Sequence, residues 1–187
     1  DSVKTLMYSL YDGQNVYFSY DLIRGEGARL KTMGGRASGP QPLIKLHDFI
    51  REIMHNAQGR KLTALEAHDI CNQIAEIVVV GGVRRSSQIS LSDLDDEEMR
   101  HAKDWPYPIK RAMANNSAIY RAQPSAAEFL KEWASLALSG TGERGIFNLE
   151  AAQSKAPSRR YSPKIQGTNP CGEIMLRDMQ FCNLSEV

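Results

Sequence analysis

The stretch GGVRRSSQISL, residues 81–91, predicts a tight loop that runs directly into a strand. Two adjacent glycines favour a turn over residues 81–86, because glycine adopts backbone conformations that other residues avoid. Ile89 and Leu91 then alternate with glutamine and serine, which is the side-chain period of a strand. Loops that join regular elements often carry binding residues. Residues 81–86 are therefore a candidate functional loop.

Helices precede this loop, and helices and strands alternate after it. Apolar side chains at helical spacing predict some of the helices, and capping boxes predict others. This alternation indicates an α/β fold with connections too short for a second domain boundary, so residues 1–187 are expected to be one segment of a single domain. The predicted helices lie at residues 2–11, 40–54, 63–77, 95–103 and 125–140, and the predicted strands at residues 15–23, 87–91, 115–120 and 144–150.

The composition limits the classes of function. With 23 basic and 22 acidic residues, the net charge of +1 argues against a nucleic acid or an anionic membrane held by bulk electrostatics. No apolar run approaches the roughly 18 residues of a membrane span, and the first residues lack the features of a secretory signal. These observations predict a cytoplasmic protein that binds neither nucleic acid nor membrane.

The cysteines and histidines do not form a metal-binding pattern. Three cysteines are an odd number, none lies in a CxxC pair, and the four histidines show no ligand spacing, so neither a disulfide scaffold nor a metal site is predicted. Cys71 lies on the apolar stripe of a predicted helix and is assigned to the core. Surface or helix-face positions are predicted for His47, His55, His68 and His101, and packing positions for Trp105 and Trp133.

The sequence GTNPCGEI, residues 167–174, places a cysteine between an amide and a carboxylate. If this segment is extended, Asn169, Cys171 and Glu173 point to one side. The intervening proline stiffens the backbone, and the glycine lets the backbone come close to a ligand. A carboxylate beside a thiol disfavours the thiolate. The arrangement suits a neutral thiol or a sulfur radical, with the glutamate taking a proton from a substrate hydroxyl and the asparagine orienting that substrate.

Two further readings of the cysteines stay open at this point. Cys182 follows Cys171 by eleven residues, so a hairpin would return the second thiol to the first. Alternatively, Cys171 is a small buried side chain without chemistry, which is the commonest role of an isolated cysteine.

Five segments occur in the same order as in a known enzyme family. TNPCGEI and FCNLSEV resemble the active-site finger loop of ribonucleotide reductases. KTMGGRASGPQPL, GGVRRSSQISL and NNSAIY resemble segments of the monomeric, adenosylcobalamin-dependent ribonucleoside-triphosphate reductases, which form class II. The resemblance implies an oxidoreductase that converts ribonucleotides, with triphosphates expected, to 2′-deoxyribonucleotides. It also implies that this chain supplies part of a ten-stranded α/β barrel with the finger loop threaded through its centre.

The resemblance assigns roles to the residues of the cysteine loop. Cys171 becomes the thiyl-radical cysteine that abstracts the 3′ hydrogen of the ribose. Glu173 becomes the base on the 3′ hydroxyl, and Asn169 hydrogen-bonds the same part of the substrate. Cys182 matches one member of the thiol pair that supplies the reducing equivalents. The 2′ hydroxyl then leaves as water.

The resemblance also implies a cofactor and several partners. No side chain can start a radical reaction by itself, so a radical source is needed, and in this subfamily that source is adenosylcobalamin. The implied partners are a ribonucleotide substrate, a deoxynucleotide effector, a thioredoxin-type reductant and the remaining parts of the catalytic domain. The implied effector and substrate loops contain Asp1, Ser2, Lys31, Arg36, Gly81, Gly82, Arg84, Arg85 and Ser86.

The sequence departs from the family pattern in several respects. The thiol partner of Cys182 is expected upstream of Asp1, and the later phosphate-binding loops and a C-terminal cysteine pair are absent from the sequence. We therefore expect a middle segment of a class II catalytic domain that is inactive by itself. Two alternatives remain: a fragment of a class I large subunit, which needs a radical-generating partner protein, or a non-catalytic piece that only binds nucleotides or assembles with a complementary chain.

Overall fold

The computed structural model describes residues 1–31, 34–80, 83–84, 86–159 and 165–183. The chain divides into two compact units, Asp1–Ser86 and Ser87–Val187, and each is described by itself. The expectation of one segment of a single domain over residues 1–187 stays a prediction. Among the described residues, no helix is long and apolar enough to cross a membrane.

The first unit is built on predicted helices. The predicted capping box begins α3: Thr63 Oγ1 accepts a 3.2 Å hydrogen bond from the backbone nitrogen of Glu66, and Glu66 Oε2 accepts a 2.9 Å bond from the backbone nitrogen of Thr63. Leu6, Leu46, Ile50 and Ile70 form the apolar core of the unit. The helices are α1 (Ser2–Tyr11), α2 (Gln41–Asn56) and α3 (Ala64–Ile77), and α3 leads to the antiparallel strands β1 (Val79–Val80) and β2 (Val83–Arg84).

The strand predicted at residues 15–23 is wrong, because these described residues contain no strand. The segment is instead bound to α2. The Arg51 guanidinium donates hydrogen bonds to Asn15 Oδ1 and to the backbone carbonyl of Val16. Val16 and Phe18 pack against the core of the first unit. Side-chain contacts with a helix therefore replace the backbone ladder that a neighbouring strand would provide.

The second unit contains a parallel sheet in the order β3-β4-β5. β4 is the central strand, which explains why all but one of its residues are buried. The parallel pairs are connected through helices, as the predicted α/β class requires, so that fold class is confirmed. In chain order the elements are β3 (Gln88–Ser92), α4 (Glu97–Arg100), a 3-10 turn (Ile109–Met113), β4 (Ala114–Tyr120), α5 (Ala126–Ser139) and β5 (Gly145–Asn148).

A short helix and a hairpin complete the described part of the second unit. Asn148 caps α6 (Leu149–Lys155), because its Oδ1 accepts a 2.8 Å hydrogen bond from the backbone nitrogen of Ala151. Gln153 Nε2 donates a 2.8 Å bond to the carbonyl of Ile165 and so ties α6 to the hairpin. The hairpin consists of β6 (Ile165–Thr168) and the antiparallel β7 (Met175–Arg177).

A buried ion network joins α4, α5 and β3 to the residue that precedes β5. Glu132, which is 3% exposed, accepts hydrogen bonds from Arg100 Nε at 2.8 Å and from Arg144 Nε and Nη2 at 3.0 Å. Arg144 Nη1 also donates a 2.7 Å bond to Ser92 Oγ. Burial opposes ionisation of Glu132, but the hydrogen bonds from Arg144 and Arg100 hold the pKa of its carboxyl below the ordinary value. The network thus contains a charged carboxylate between two buried guanidinium groups.

Several burial predictions were wrong. Cys71 is exposed on α3, although it had been assigned to the core. Trp105 and Trp133, expected as packing anchors, are also exposed. His47 and His68 are buried, whereas His55 and His101 are exposed as predicted. For the residues on helices, the errors share one cause, because the position of a residue on its own helix does not reveal which neighbouring element covers it.

The buried imidazole of His47 connects two parts of the first unit. Its Nδ1 lies 2.7 Å from Tyr20 Oη and its Nε2 lies 3.1 Å from Ser2 Oγ. Burial lowers the pKa of His47, the nearby Arg51 guanidinium lowers it further, and Asp48 acts in the opposite direction. A histidine with a lowered pKa stays neutral in the folded state at a pH where the unfolded chain already binds a proton.

We expect the first unit to lose stability as the pH falls below about 6.5, the unperturbed histidine pKa. Between that value and the lowered folded-state pKa of His47, the unfolded state binds the additional proton and is therefore favoured. His47→Gln should remove this part of the pH dependence. Thermal unfolding between pH 7.5 and pH 5 measures the effect, with exposed His55→Gln as the control. A pH profile that is the same for His47→Gln and the unaltered protein would contradict this explanation.

Candidate functional site

The cysteine segment forms a turn at the tip of the β6–β7 hairpin. The backbone nitrogen of Gly172 donates a 2.9 Å hydrogen bond to the carbonyl of Asn169, which closes a four-residue turn with Pro170 second and Cys171 third. Proline fixes the φ angle that the second position requires. Gly172 has φ of 89°, which glycine adopts without steric cost. The local sequence therefore favours a stiff turn.

The extended arrangement predicted for Asn169–Glu173 is consequently wrong. Side chains in a turn do not alternate with a period of two. The alternation of a strand therefore cannot place the three polar side chains on one face. Proline and glycine on either side of the cysteine together favour chain reversal over extension.

Asn169 closes the hairpin with its side chain. This residue is 6% exposed, and its Oδ1 accepts a 2.9 Å hydrogen bond from the backbone nitrogen of Ile174. Its own backbone nitrogen donates a 3.1 Å bond to the carbonyl of Ile174, and Thr168 Oγ1 donates a 3.0 Å bond to the same carbonyl. The amide oxygen of Asn169 is therefore used inside the hairpin.

The side chains with the predicted chemistry are exposed. Cys171 and Cys182 are free thiols, and Glu173 is exposed two residues after Cys171. The exposure of Cys171 contradicts the alternative that it is a small buried side chain. Beyond β7, the backbone nitrogen of Gln180 donates a 3.3 Å bond to the carbonyl of Arg177, so the chain turns before it reaches Cys182. A hairpin that returns Cys182 to Cys171 stays a prediction.

Asn115 contacts the cysteine turn, and the sequence analysis missed this role. Its Nδ2 donates a 2.8 Å hydrogen bond to the carbonyl of Pro170, across 55 residues of sequence. Ser117 Oγ in turn donates a 3.0 Å bond to Asn115 Oδ1. Two asparagines near the start of β4, in NNSAIY, were the available signal, since polar side chains at a strand end often face a loop.

The predicted effector residues divide into described and undescribed positions. Arg36 Nη1 donates a 2.9 Å hydrogen bond to the carbonyl of Gly27, and Arg36 forms an antiparallel backbone β-bridge with Arg29. Asp1 and Lys31 are exposed. Gly81, Gly82 and Arg85 lie outside the described residues.

The remaining effector candidates make internal contacts. Ser2 Oγ contacts His47, as described above. Arg84 pairs through its backbone with Val79 in the β1–β2 ladder. Ser86 Oγ donates a hydrogen bond to the carbonyl of Ala75. Within the described ranges, no group of histidine, cysteine, aspartate and glutamate side chains could hold a metal ion.

Comparison with known proteins identifies a family and several relatives. Residues 83–187 match the family described as ribonucleotide reductase, barrel domain. An adenosylcobalamin-dependent ribonucleoside-triphosphate reductase of Lacticaseibacillus paracasei is 39% identical over 172 residues, which are 88% of this chain and 22% of that protein. Proteins with the same name from Lactobacillus gasseri and Lactobacillus leichmannii are 37% and 36% identical over 177 residues, or 88% of this chain and 23% of each relative.

The coverage of the relatives limits what this similarity shows. The chain spans less than a quarter of the length of these curated relatives. No solved structure matches the chain. The similarity therefore identifies the domain to which residues 83–187 correspond.

Proposed function

This chain belongs to the ribonucleotide reductase barrel-domain family, and we therefore propose that it carries the radical cysteine of an enzyme that reduces ribonucleotides to 2′-deoxyribonucleotides. The observation that carries this proposal is the exposed thiol of Cys171 on a turn stiffened by proline and a closing hydrogen bond. A thiol in this position can meet a substrate without a change in the hairpin. The relatives named as ribonucleoside-triphosphate reductases support triphosphates as the substrates.

The proposed roles follow the chemistry of the side chains. Cys171 Sγ, as a radical, takes the hydrogen atom from C3′ of the ribose. The carboxylate of Glu173 accepts the proton of the 3′ hydroxyl, and the 2′ hydroxyl departs as water. A pair of thiols, one of them Cys182, supplies two electrons and two protons and becomes a disulfide. Cys171 then returns the hydrogen atom to C3′ and regains its radical. Asn169 contacts the same part of the substrate through Nδ2, because its Oδ1 is bound to Ile174.

The radical on Cys171 requires a cofactor, and we propose adenosylcobalamin, the cofactor in the names of the relatives. When bound, this group supplies a radical by homolysis of its cobalt–carbon bond. An exposed thiol fits that requirement, since the cofactor must reach the sulfur directly. The cofactor named for the relatives favours class II over the class I alternative.

We further propose that the chain works inside a longer catalytic domain in the cytoplasm, with residues 1–187 as one segment of that domain. A deoxynucleotide effector would bind near the loops that contain Arg36 and Arg84, and a thioredoxin-type protein would reduce the disulfide after each turnover. The contacts of Arg36 with Gly27 and Arg29 support this assignment, because a residue already held in place loses less conformational freedom when a ligand binds.

Replacement of Glu173 tests the proposed base. In a full-length reductase that contains this chain, Glu173→Gln should lower kcat by at least about 100-fold, because a positioned general base contributes at least that much. KM should change little, since the amide keeps the shape of the carboxyl group. Deoxynucleotide formation from ribonucleoside triphosphates, with adenosylcobalamin and a dithiol present, measures the effect.

The matched control for this experiment is exposed Glu150→Gln on α6, which should leave kcat unchanged. Full activity in Glu173→Gln would show that Glu173 is not the base of the reaction. Absence of turnover by the unaltered full-length protein under these conditions would contradict the proposed reductase function and favour a non-catalytic nucleotide-binding role.

A further inference from the structure

We propose that Asn115 is a positioning residue for Cys171, which it acts on through the backbone carbonyl of Pro170. This inference rests on the proposed function, because it names a residue that supports the radical cysteine. The hydrogen bond from Asn115 Nδ2 to the Pro170 carbonyl is 2.8 Å long. It connects the start of the central strand β4 to the tip of the β6–β7 hairpin.

The location of this bond determines what it holds. The carbonyl of Pro170 belongs to the peptide group that Pro170 shares with Cys171, and the six atoms of a peptide group are coplanar. Fixing that carbonyl therefore fixes the Cα atom that carries the thiol. On the other side of the cysteine, the bond from the Gly172 nitrogen to the Asn169 carbonyl closes the turn. Cys171 is thus held by one bond from within the turn and one from the sheet.

A second contact orients the amide of Asn115. Ser117 is 4% exposed, and its hydroxyl donates a 3.0 Å hydrogen bond to Asn115 Oδ1. This bond makes Oδ1 the acceptor, so Nδ2 is the end that faces the Pro170 carbonyl. Ser117 pairs with Gly145 on β5. A Cβ atom at Gly145 would lie 2.6 Å from Ser117 Oγ, so glycine there leaves the hydroxyl in place.

The support for Asn115 is rigid, although its own side chain is exposed. β4 pairs with a strand on each side, and positions on such strands hold a functional group more exactly than positions on loops. Because the Asn115 side chain is exposed, its removal should not disturb the core. The effect of a substitution on the turn can therefore be separated from an effect on folding.

Truncation of Asn115 in the full-length reductase tests the proposal. Asn115→Ala should lower kcat about 10- to 100-fold, since small misplacements of reacting groups have effects of this size. KM and the unfolding temperature should stay near those of the unaltered enzyme. Asn115→Asp should be at least as impaired, because a carboxylate cannot donate a hydrogen bond to the carbonyl. The control is Asn56→Ala, at an exposed asparagine on α2, with no expected change.

Variants of Ser117 distinguish a positioning role of Asn115 from a purely structural role. Ser117→Ala should lower kcat less than Asn115→Ala, and the double variant should be no worse than Asn115→Ala alone, because Ser117 acts through Asn115. Hydrogen exchange at residues 169–174 should accelerate in Asn115→Ala and stay unchanged in Asn56→Ala. Additive losses in the double variant would contradict the connection between the two residues.

The exchange measurement separates failure of this proposal from failure of the proposed function. Unchanged protection of residues 169–174 and unchanged kcat in Asn115→Ala would overturn the positioning role and leave the reductase proposal intact. Absence of turnover by the unaltered enzyme would count against the reductase, while hydrogen exchange would still decide whether Asn115 holds the turn.

Discussion

Replacement of Cys171 by serine is expected to reduce ribonucleotide reduction to the background of the assay in a full-length reductase that contains this chain. A serine hydroxyl holds its hydrogen atom more strongly than a thiol does, so serine cannot replace the proposed radical carrier. Because Cys171 is exposed at a turn, the substitution should change stability by no more than about 0.5 kcal/mol. The loss would therefore be chemical and not a consequence of unfolding.

The matched control is Cys71→Ser, which replaces sulfur by oxygen at another exposed cysteine. We expect this variant to keep nearly all its activity, since Cys71 lies on α3 and has no proposed role in the reaction. Formation of deoxynucleotides and the unfolding temperature should be measured for both variants. Turnover by Cys171→Ser would end the radical assignment, and inactivity of Cys71→Ser would show that α3 contributes to the reaction.

Substitution of Glu132 by glutamine should destabilise the second unit by about 3–5 kcal/mol, because it removes the carboxylate paired with buried Arg144 and, among the described residues, leaves buried Arg100 paired only with Glu97. Arg100 and Arg144 are 7% and 3% exposed, and both donate hydrogen bonds to this carboxylate. Glutamine keeps the shape of glutamate but not its charge. The expected loss is large relative to the stability of a typical domain.

Native-state hydrogen exchange of the α5 amides measures this effect locally, even within a larger protein. Exposed Glu98→Gln on α4 is the control and should change the free energy of opening by no more than a few tenths of a kcal/mol. Equal protection in the two variants would mean that the arginines find other partners once the carboxylate is neutral.

Local signals predicted most of the regular structure. The capping boxes at Thr63 and Ser125 begin α3 and α5 as expected, because a cap depends on residues only three positions apart. Helices α1 and α2 lie where periodicity placed them, and α4 and the strands of the parallel sheet lie within or overlap the predicted segments, although residues 149 and 150 belong to α6 and not to a strand. The prediction of a strand at residues 15–23 was wrong, since a strand-like composition does not provide a neighbouring strand with which to pair.

The sequence suggested residues for the candidate site, whose roles stay predictions, but it did not predict the geometry of the site. The cysteine and the glutamate were identified from type and spacing, and both are exposed on the hairpin. The turn itself could have been predicted, since proline and glycine flank Cys171. The contact from Asn115 to Pro170 could not, because it joins residues 55 positions apart and depends on how β4 meets the hairpin.

The three-stranded parallel sheet has a consequence for how this chain behaves without neighbours. Within the described residues, β3 and β5 are the two outer strands of this sheet. Additional strands can be added at both margins without any change to β4. An outer strand can also pair with a strand of a second copy of the chain, so strand addition and self-association compete for the same margins.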